Sequence, residues 1–431
     1  MTFERGEVGR IRLHVWPTKR FKTFAVSLYA GIPLDENTVT ATALTPFVLR
    51  RGTARTPETI AFRERLDEMY GAGFGFDVYK RGDAQIVQFR LDVIHDQFVS
   101  SQASLLSAAL ELLGEVTTDP ARDKRGYFLD KYVDAEKNTL QKKLEAIIND
   151  KMRYAAERCL EEMCKDEPYR LHPLGQRKDL DALDSASLYA AYRKWLGEAC
   201  FDLYVVGDTT LEQVQALAAK AFGAGEGQPG RYAFPQLESA GKAPKSIVEE
   251  MDVAQGKLNM GLRTHTHYAD DDYPAMLMYN GILGGYAHSK LFLNVREKAS
   301  LAYYAASRLD GHKGLCTIQS GIEFQNYDQA SAIIQQQLEA MRQGNLSELE
   351  VAQTKAMLTG QLRESQDSAF ETIAFDFNTV LSGRNRTAEA LIAEIEAVSP
   401  SDIVQAASKV ELDTIYFLRN RKEAQGGHAK A

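Results

Sequence analysis

Residues 283–304 read LGGYAHSKLFLNVREKASLAYY, and the fold is decided by what this stretch joins. Upstream, YPAMLMYNGILG has helical apolar spacing and stops at Gly284-Gly285. HSKLFLNVREK then predicts a second helix. LAYYAASRL and GLCTIQSGIE predict the two strands of a hairpin, because they are rich in aromatic and β-branched residues. Working outward, SIVEEMDVAQGKLNMGLRT predicts a strand pair before this unit. A helical pair follows it, and DTIYFLRN predicts a closing strand.

The first half of the chain has the same order. RIRLHVWP and KTFAVSLYAGI predict strands, and TATALTPFVLRRGT predicts a helix that holds Pro46 in its interior. Thr56-Pro57-Glu58 predicts the start of a second helix, with Thr56 as N-cap and Ile60, Phe62, Leu66 and Met69 as its apolar stripe. GFGFDVYKRGDAQIVQFRLDVI predicts a hairpin turning at Arg81-Gly82-Asp83. Helices are expected near 98–113 and, as one long element, near 123–163. FDLYVVGD is a buried strand, followed by a helix through Phe222. Residues 223–245, GAGEGQPGRYAFPQLESAGKAPK, lose periodicity and concentrate glycine and proline, which is the signature of a linker. The reading is therefore a duplicated α+β unit: one domain over 1–222, a linker over 223–245, and a second domain over 246–431.

Composition narrows the function classes. The 431 residues carry 51 Lys plus Arg against 59 Asp plus Glu, a net charge of −8. That balance argues against a nucleic-acid partner, which needs a basic face. No apolar run is long enough to span a bilayer, and the start has no secretory pattern, so neither a membrane nor export is expected. Four cysteines in this length do not make a disulfide framework, and a reduced, cytoplasmic protein is the expectation.

The whole chain resembles the pitrilysin/insulinase-like metallopeptidases, most of all the two-domain branch that includes the processing peptidases. The resemblance rests on the duplicated halves, the YVVGD strand, and the 283–304 run. In that run Leu283, Gly284, Gly285, Ser289, Leu291, Phe292, Val295, Arg296, Glu297, Lys298, Leu301, Ala302 and Tyr303 match the family pattern. The resemblance implies two homologous domains, each an antiparallel-rich sheet packed with helices, forming half of a clamshell chamber.

Active members of the family carry H-x-x-E-H on the first-half helix. The histidines bind Zn²⁺, the glutamate is the general base, and a glutamate on a later helix completes the site. Gly52-Thr53 sets the register, so the histidine positions fall on Ala43 and Phe47 and the base on Pro46. None can do that chemistry. In AEKNTLQKKLEAI the family's seven-residue step leads from Glu136 to Lys143, a cation that would repel a dication. Glu145 is turned about 200° away around the helix. No zinc is expected in this chain.

Two-chain members divide the work: one subunit holds zinc, and the other lends an arginine and a tyrosine seven residues apart. Arg296 and Tyr303 have that spacing. The phenol would donate to a tetrahedral oxyanion and the guanidinium would hold substrate carbonyls. Gly284 and Gly285 either let backbone approach the substrate chamber or end a helix. The resemblance therefore implies a non-catalytic subunit of a heterodimeric zinc metallopeptidase, with a zinc-bearing homologous partner and unstructured peptides as substrate. It extends to bacterial paired proteins associated with 5-aminopentanol modification of elongation factor P, and to pairs that remove leader peptides. A structural or scaffolding protein, or a peptide-binding homologue without a role in proteolysis, is the alternative.

Remaining motifs carry less. His265-Thr266-His267 would form a metal pair on one strand face or simply end a strand. The other histidines, His14 among them, are isolated along the chain. Cys159 and Cys164 are expected to be unreactive. EEMCKDEPYR (161–170) is expected to be a solvated helix end and turn.

Overall fold

In the computed structural model, the described residues are 2–100, 104–223, 227–233, 240–241 and 243–421. They form two compact units. One takes the described residues of 1–145, 171–234 and 366–377; the other takes those of 146–170, 235–365 and 378–431. Part of the predicted 223–245 linker, namely 224–226, 234–239 and 242, lies outside the described residues.

The first unit is built on six strands: β1 (Glu4–Val8), β2 (Ile11–Pro17), β3 (Thr23–Pro33), β4 (Gly73–Arg81), β5 (Ala84–Ile94) and β6 (Cys200–Gly207). Their order is β1-β2-β6-β3-β5-β4, with β2 and β6 parallel and the other neighbours antiparallel. The second unit has five: β7 (Lys245–Met251), β8 (Gly256–Arg263), β9 (Ala302–Asp310), β10 (Leu315–Ile322) and β11 (Glu411–Asn420). Their order is β7-β11-β8-β10-β9, again with one parallel pair, β7 with β11. Setting β1 aside, the two sheets have the same connectivity and the same directions. The duplication expected from element order is therefore present in the hydrogen-bonding pattern. The strands β7 and β8 are not the mutual pair that the sequence suggests; β11 lies between them. A short connection favours a hairpin locally, but the returning strand takes the central place.

The central strands of each sheet are buried on both faces, which is why β3 and β6 read as almost unbroken apolar runs. In the first unit Phe24, Val26 and Leu28 of β3, with Leu203 and Val205 of β6, enter a large core with the Val39–Leu49 and Leu105–Thr118 helices. The opposite face carries Tyr29, Asp202 and Tyr204. It is covered by Phe377, which stacks on Tyr29 at 3.8 Å, and by Tyr232. Gly31 is required there, because a Cβ would collide with the Tyr232 ring. In the second unit the Lys151–Met163 helix covers β8 and β11, and Gly261 is required because a Cβ would stand 2.5 Å from Met163 Sδ.

Three local expectations are corrected. The expected 123–163 helix is two, Asp130–Asn149 and Lys151–Met163, because Asp150 leaves helical geometry and caps the backbone N–H groups of Met152 and Arg153. The helix expected to begin at Thr56 spans Thr59–Glu68, since Thr53 and Thr56 bond each other in a turn before it. In that helix Phe62 and Met69 are buried while Ile60 is 72% exposed. Residues 161–170 are not simply solvated. Cys164 and Tyr169 are buried, and Glu167 pairs with Arg263 at 2.7 Å and Lys313 at 2.8 Å.

The polar groups on the covered face of the first sheet are tightly paired. Asp202, fully buried, accepts from Arg12 Nε and Nη2 (2.6 and 2.7 Å), His14 Nε2 (2.8 Å) and the Tyr232 hydroxyl (2.8 Å). His14 is isolated in sequence but not in space: its Nδ1 faces Arg5 Nη1 at 2.5 Å, which requires the neutral imidazole. Burial pushes the His14 imidazole below its ordinary range, and Asp202 is held low by Arg12 and His14 against its own burial. Removing one partner of such a cluster leaves uncompensated buried charge, so Asp202→Ala should cost about 3–5 kcal/mol in urea unfolding. A depressed histidine pKa contributes stability above the unfolded value of about 6.5, and that share is lost as pH falls through the folded value. His14→Gln should therefore flatten the pH dependence of unfolding below about pH 6.5; an unchanged slope would refute this role.

Candidate functional site

The positions matched to the zinc motif lie on the Val39–Leu49 helix, every residue of which is buried. Ala43 is fully enclosed. Pro46 interrupts the ladder without ending the helix, and the Thr45 hydroxyl donates to Ala41 O at 2.8 Å in the same turn. Phe47 packs edge-to-face on Phe76 of β4, with centroids 4.8 Å apart. Lys143, from the Asp130–Asn149 helix, holds its ammonium 5.8 Å from the Phe47 centroid. On the same helix Glu136 is fully buried; Arg51 Nε donates to its Oε1, and the Arg50 guanidinium stands 3.9 Å away. Arg50 lies over the Phe76 ring at 5.5 Å.

Folding thus brings together the residues that sequence reasoning aligned as metal positions, but their chemistry does not suit a metal. Alanine and phenylalanine offer no lone pair, Glu136 is already bonded by an arginine, and Lys143 supplies positive charge. Among the described residues, no group of three His, Cys, Asp or Glu side chains is arranged to hold a metal ion. The roles of Arg50 and Arg51 were missed from sequence. Their place just after an apolar helix, where cations complement the helix dipole, was the available signal.

The 283–304 run builds a different surface in the second unit. The Tyr273–Asn280 helix continues as a widened π-turn over Gly281–Gly285, and a second π-helical stretch covers Phe292–Lys298. Such turns insert a residue into the helical ladder and often mark functional sites. Gly284 fits against β9: a Cβ would lie 2.5 Å from Ser307 N and 2.8 Å from Leu291 Cδ1. Close helix-to-strand packing therefore accounts for Gly284. Gly285 is exposed, its Cβ position 3.3 Å from Asn280 O.

Arg296 is exposed, with its guanidinium 4.6 Å over the Phe292 ring and its Nε 3.7 Å from Glu297. Tyr303 lies on β9, the outermost strand of its sheet, and is 62% exposed. Its hydroxyl donates to Glu323 Oε1 at 2.6 Å, and the hydrogen bond and charge of that carboxylate raise the phenol pKa. The single phenolic proton is thus engaged by Glu323, and donation to any other oxygen requires giving up that bond. The guanidinium has donors to spare for carbonyl oxygens. Glu323, which orients Tyr303, was not singled out from sequence; it lies just past the end of β10, where the β9–β10 register shifts and leaves Tyr303 without a strand partner.

The remaining candidates do not form a site. His265 lies beyond the end of β8 in irregular backbone, with Nε2 3.0 Å from Glu411, and the His267 backbone N–H donates to Asp270. Cys159 and Cys164 are buried and unbridged, and burial raises the Cys159 thiol pKa. No helix among the described residues is long and apolar enough to cross a membrane.

Two duplicated α+β units, one with ligand-poor residues at the metal positions, define a metallopeptidase-like chain of the inactive type. Residues 182–358 match the family described as Peptidase M16 inactive domain. The chain is 41% identical over 420 residues to the probable inactive metalloprotease YmfF of Bacillus subtilis (strain 168), across 97% of this chain and 98% of that protein. It belongs to the M16, pitrilysin-like, family. A conserved protein from Enterococcus faecalis V583 has the same fold, with a TM-score of 0.92 and 32% identity, over 98% of this chain and 99% of the other. A Pseudomonas fluorescens structure described as a peptidase M16 inactive domain shares the fold at a TM-score of 0.80 and 17% identity, over 97% and 98% of the two chains.

The ligand chemistry makes a direct expectation. Calorimetric titration of the isolated chain with zinc should show no stoichiometric site, and tight one-to-one binding would contradict the reading of Ala43, Phe47 and Lys143.

Proposed function

We propose that this chain is the non-catalytic subunit of a cytoplasmic heterodimeric zinc metallopeptidase that cleaves unstructured peptides. A homologous partner supplies Zn²⁺ and the general base. This chain, through peptidase-like domains at 1–222 and 246–431, supplies Arg296, Tyr303 and a chamber wall near Gly284 and Gly285. The observation that carries the reading is the exposure of Arg296 and Tyr303 beside the outermost strand β9, in a chain whose metal positions hold Ala43, Pro46, Phe47 and Lys143. An extended peptide would add to such an edge through main-chain bonds, with side-chain pockets setting preference. The bond from Tyr303 to Glu323 favours one alternative, a peptide-binding homologue outside proteolysis in which Tyr303 only orders its own strand pair.

Reconstitution with a zinc-bearing homologue decides between them. Tyr303→Phe removes one oxyanion donor and should lower kcat by about 10²-fold with little change in KM. Arg296→Ala should raise KM as well. Turnover unaffected by either substitution would reject the subunit reading and leave the alternative.

A further inference from the structure

The cations gathered around Phe47 and Phe76 exceed what their one buried carboxylate needs. Arg51 donates directly to Glu136, which accounts for one positive and one negative charge. Arg50 reaches the same carboxylate only at 3.9 Å and is 46% exposed. Lys143 is exposed, and its contact is with the Phe47 ring. On the adjoining elements Asp77 of β4 is paired with Arg90, Asp130 with Arg125 at 3.0 Å, and Glu145 accepts from Gln141 at 2.9 Å and pairs with Arg177 at 3.1 Å, while Asp134 is turned about 200° from Glu136 around its helix. Three cations thus gather around one carboxylate, on a protein whose net charge is −8.

Their placement is ordered. Arg50, Phe76, Phe47 and Lys143 follow one another at 5.5, 4.8 and 5.8 Å. The two cations are thus no farther apart than about five residues of extended chain. Phe76 belongs to β4, which pairs only with β5 among the described residues and ends the sheet. Aromatic rings lie beside both cations and limit their motion, and both side chains remain exposed.

We propose that Arg50 and Lys143 form a carboxylate-recognition site for extended peptides at the β4 edge. A guanidinium takes a carboxylate in a two-point fork, and an ammonium takes a second one as a point charge. The peptide class is therefore acidic, its carboxylates borne by side chains or by the C-terminus. The proposal rests on the peptide-binding part of the reading above and not on the zinc-bearing partner.

The test uses the isolated full chain and fluorescence anisotropy. The probe is a labelled Ser/Gly peptide of about ten residues with two glutamates four positions apart, compared with its glutamine counterpart, each with a free or an amidated C-terminus. The native chain should bind the most acidic peptide at least about tenfold more tightly than the neutral amidated one at low salt. Arg50→Ala/Lys143→Ala should abolish that preference, and Arg50→Lys/Lys143→Arg should retain most of it. Lys143→Gln alone, on an exposed helix face, should weaken it roughly threefold, which keeps the test open if the double variant folds poorly. Preference that survives amidation assigns the contacts to side chains, and preference lost on amidation assigns them to the C-terminus. Equal binding of acidic and neutral peptides by the native chain overturns the proposal, as does undiminished preference in the variants. A chain that prefers acidic peptide yet leaves a partner's turnover unchanged keeps this site and rejects the subunit reading; the opposite pattern does the reverse.

Discussion

Asp202 is buried in the face of the first sheet turned away from its large core, and four hydrogen bonds from Arg12, His14 and Tyr232 converge on it. A carboxylate in that position is tolerable only when fully bonded, so its surroundings must be built to match. The bonds draw in residues 227–233, through Tyr232 and the Gly230 carbonyl that accepts from Arg12. Arg5 and Tyr204 extend the cluster to Asp376, and Phe377 stacks on Tyr29. In the second unit Glu249, only partly buried, accepts from the Tyr154 and Tyr416 hydroxyls and from Arg158. Each sheet is thus closed on its second face by a segment distant in sequence, held by charge and aromatic contact as well as by apolar area.

The metal positions and the Arg296–Tyr303 surface differ in the opposite sense. On the Val39–Leu49 helix packing dominates: Ala43 and Phe47 fill the core, and Glu136 of the neighbouring helix is matched by Arg51. Around residues 283–304, polar groups are kept in the open, on π-turns and an outermost strand, where no packing demand explains an exposed tyrosine. Both patterns are consistent with a chain of the M16 inactive type.

The candidate site was proposed from residue chemistry. Whether a side chain has a lone pair does not depend on the fold, and the Gly52-Thr53 register was enough to name Ala43, Pro46 and Phe47. The hairpins were legible because alternation and turn residues act over a few positions. What was hidden depends on distant partners. Glu167 looks solvated in a charged run until Arg263 and Lys313 arrive to neutralise it. His14 looks isolated until β6 brings Asp202 beside it. The break at Asp150 was obscured because apolar spacing resumes on both sides of it.

By itself the sequence determined the two repeated α+β units, the side-chain chemistry available at Ala43, Pro46, Phe47 and Lys143, and the arginine–tyrosine spacing in the second unit. These follow from local periodicity and from side-chain functional groups. Only the tertiary structure decided that residues 366–377 belong with the first unit and 146–170 with the second, that β11 separates β7 from β8, and that Arg50 and Lys143 flank an aromatic pair at a sheet edge. Those outcomes come from burying both faces of the central strands and pairing buried charge, requirements that residues far apart in the chain can satisfy only together.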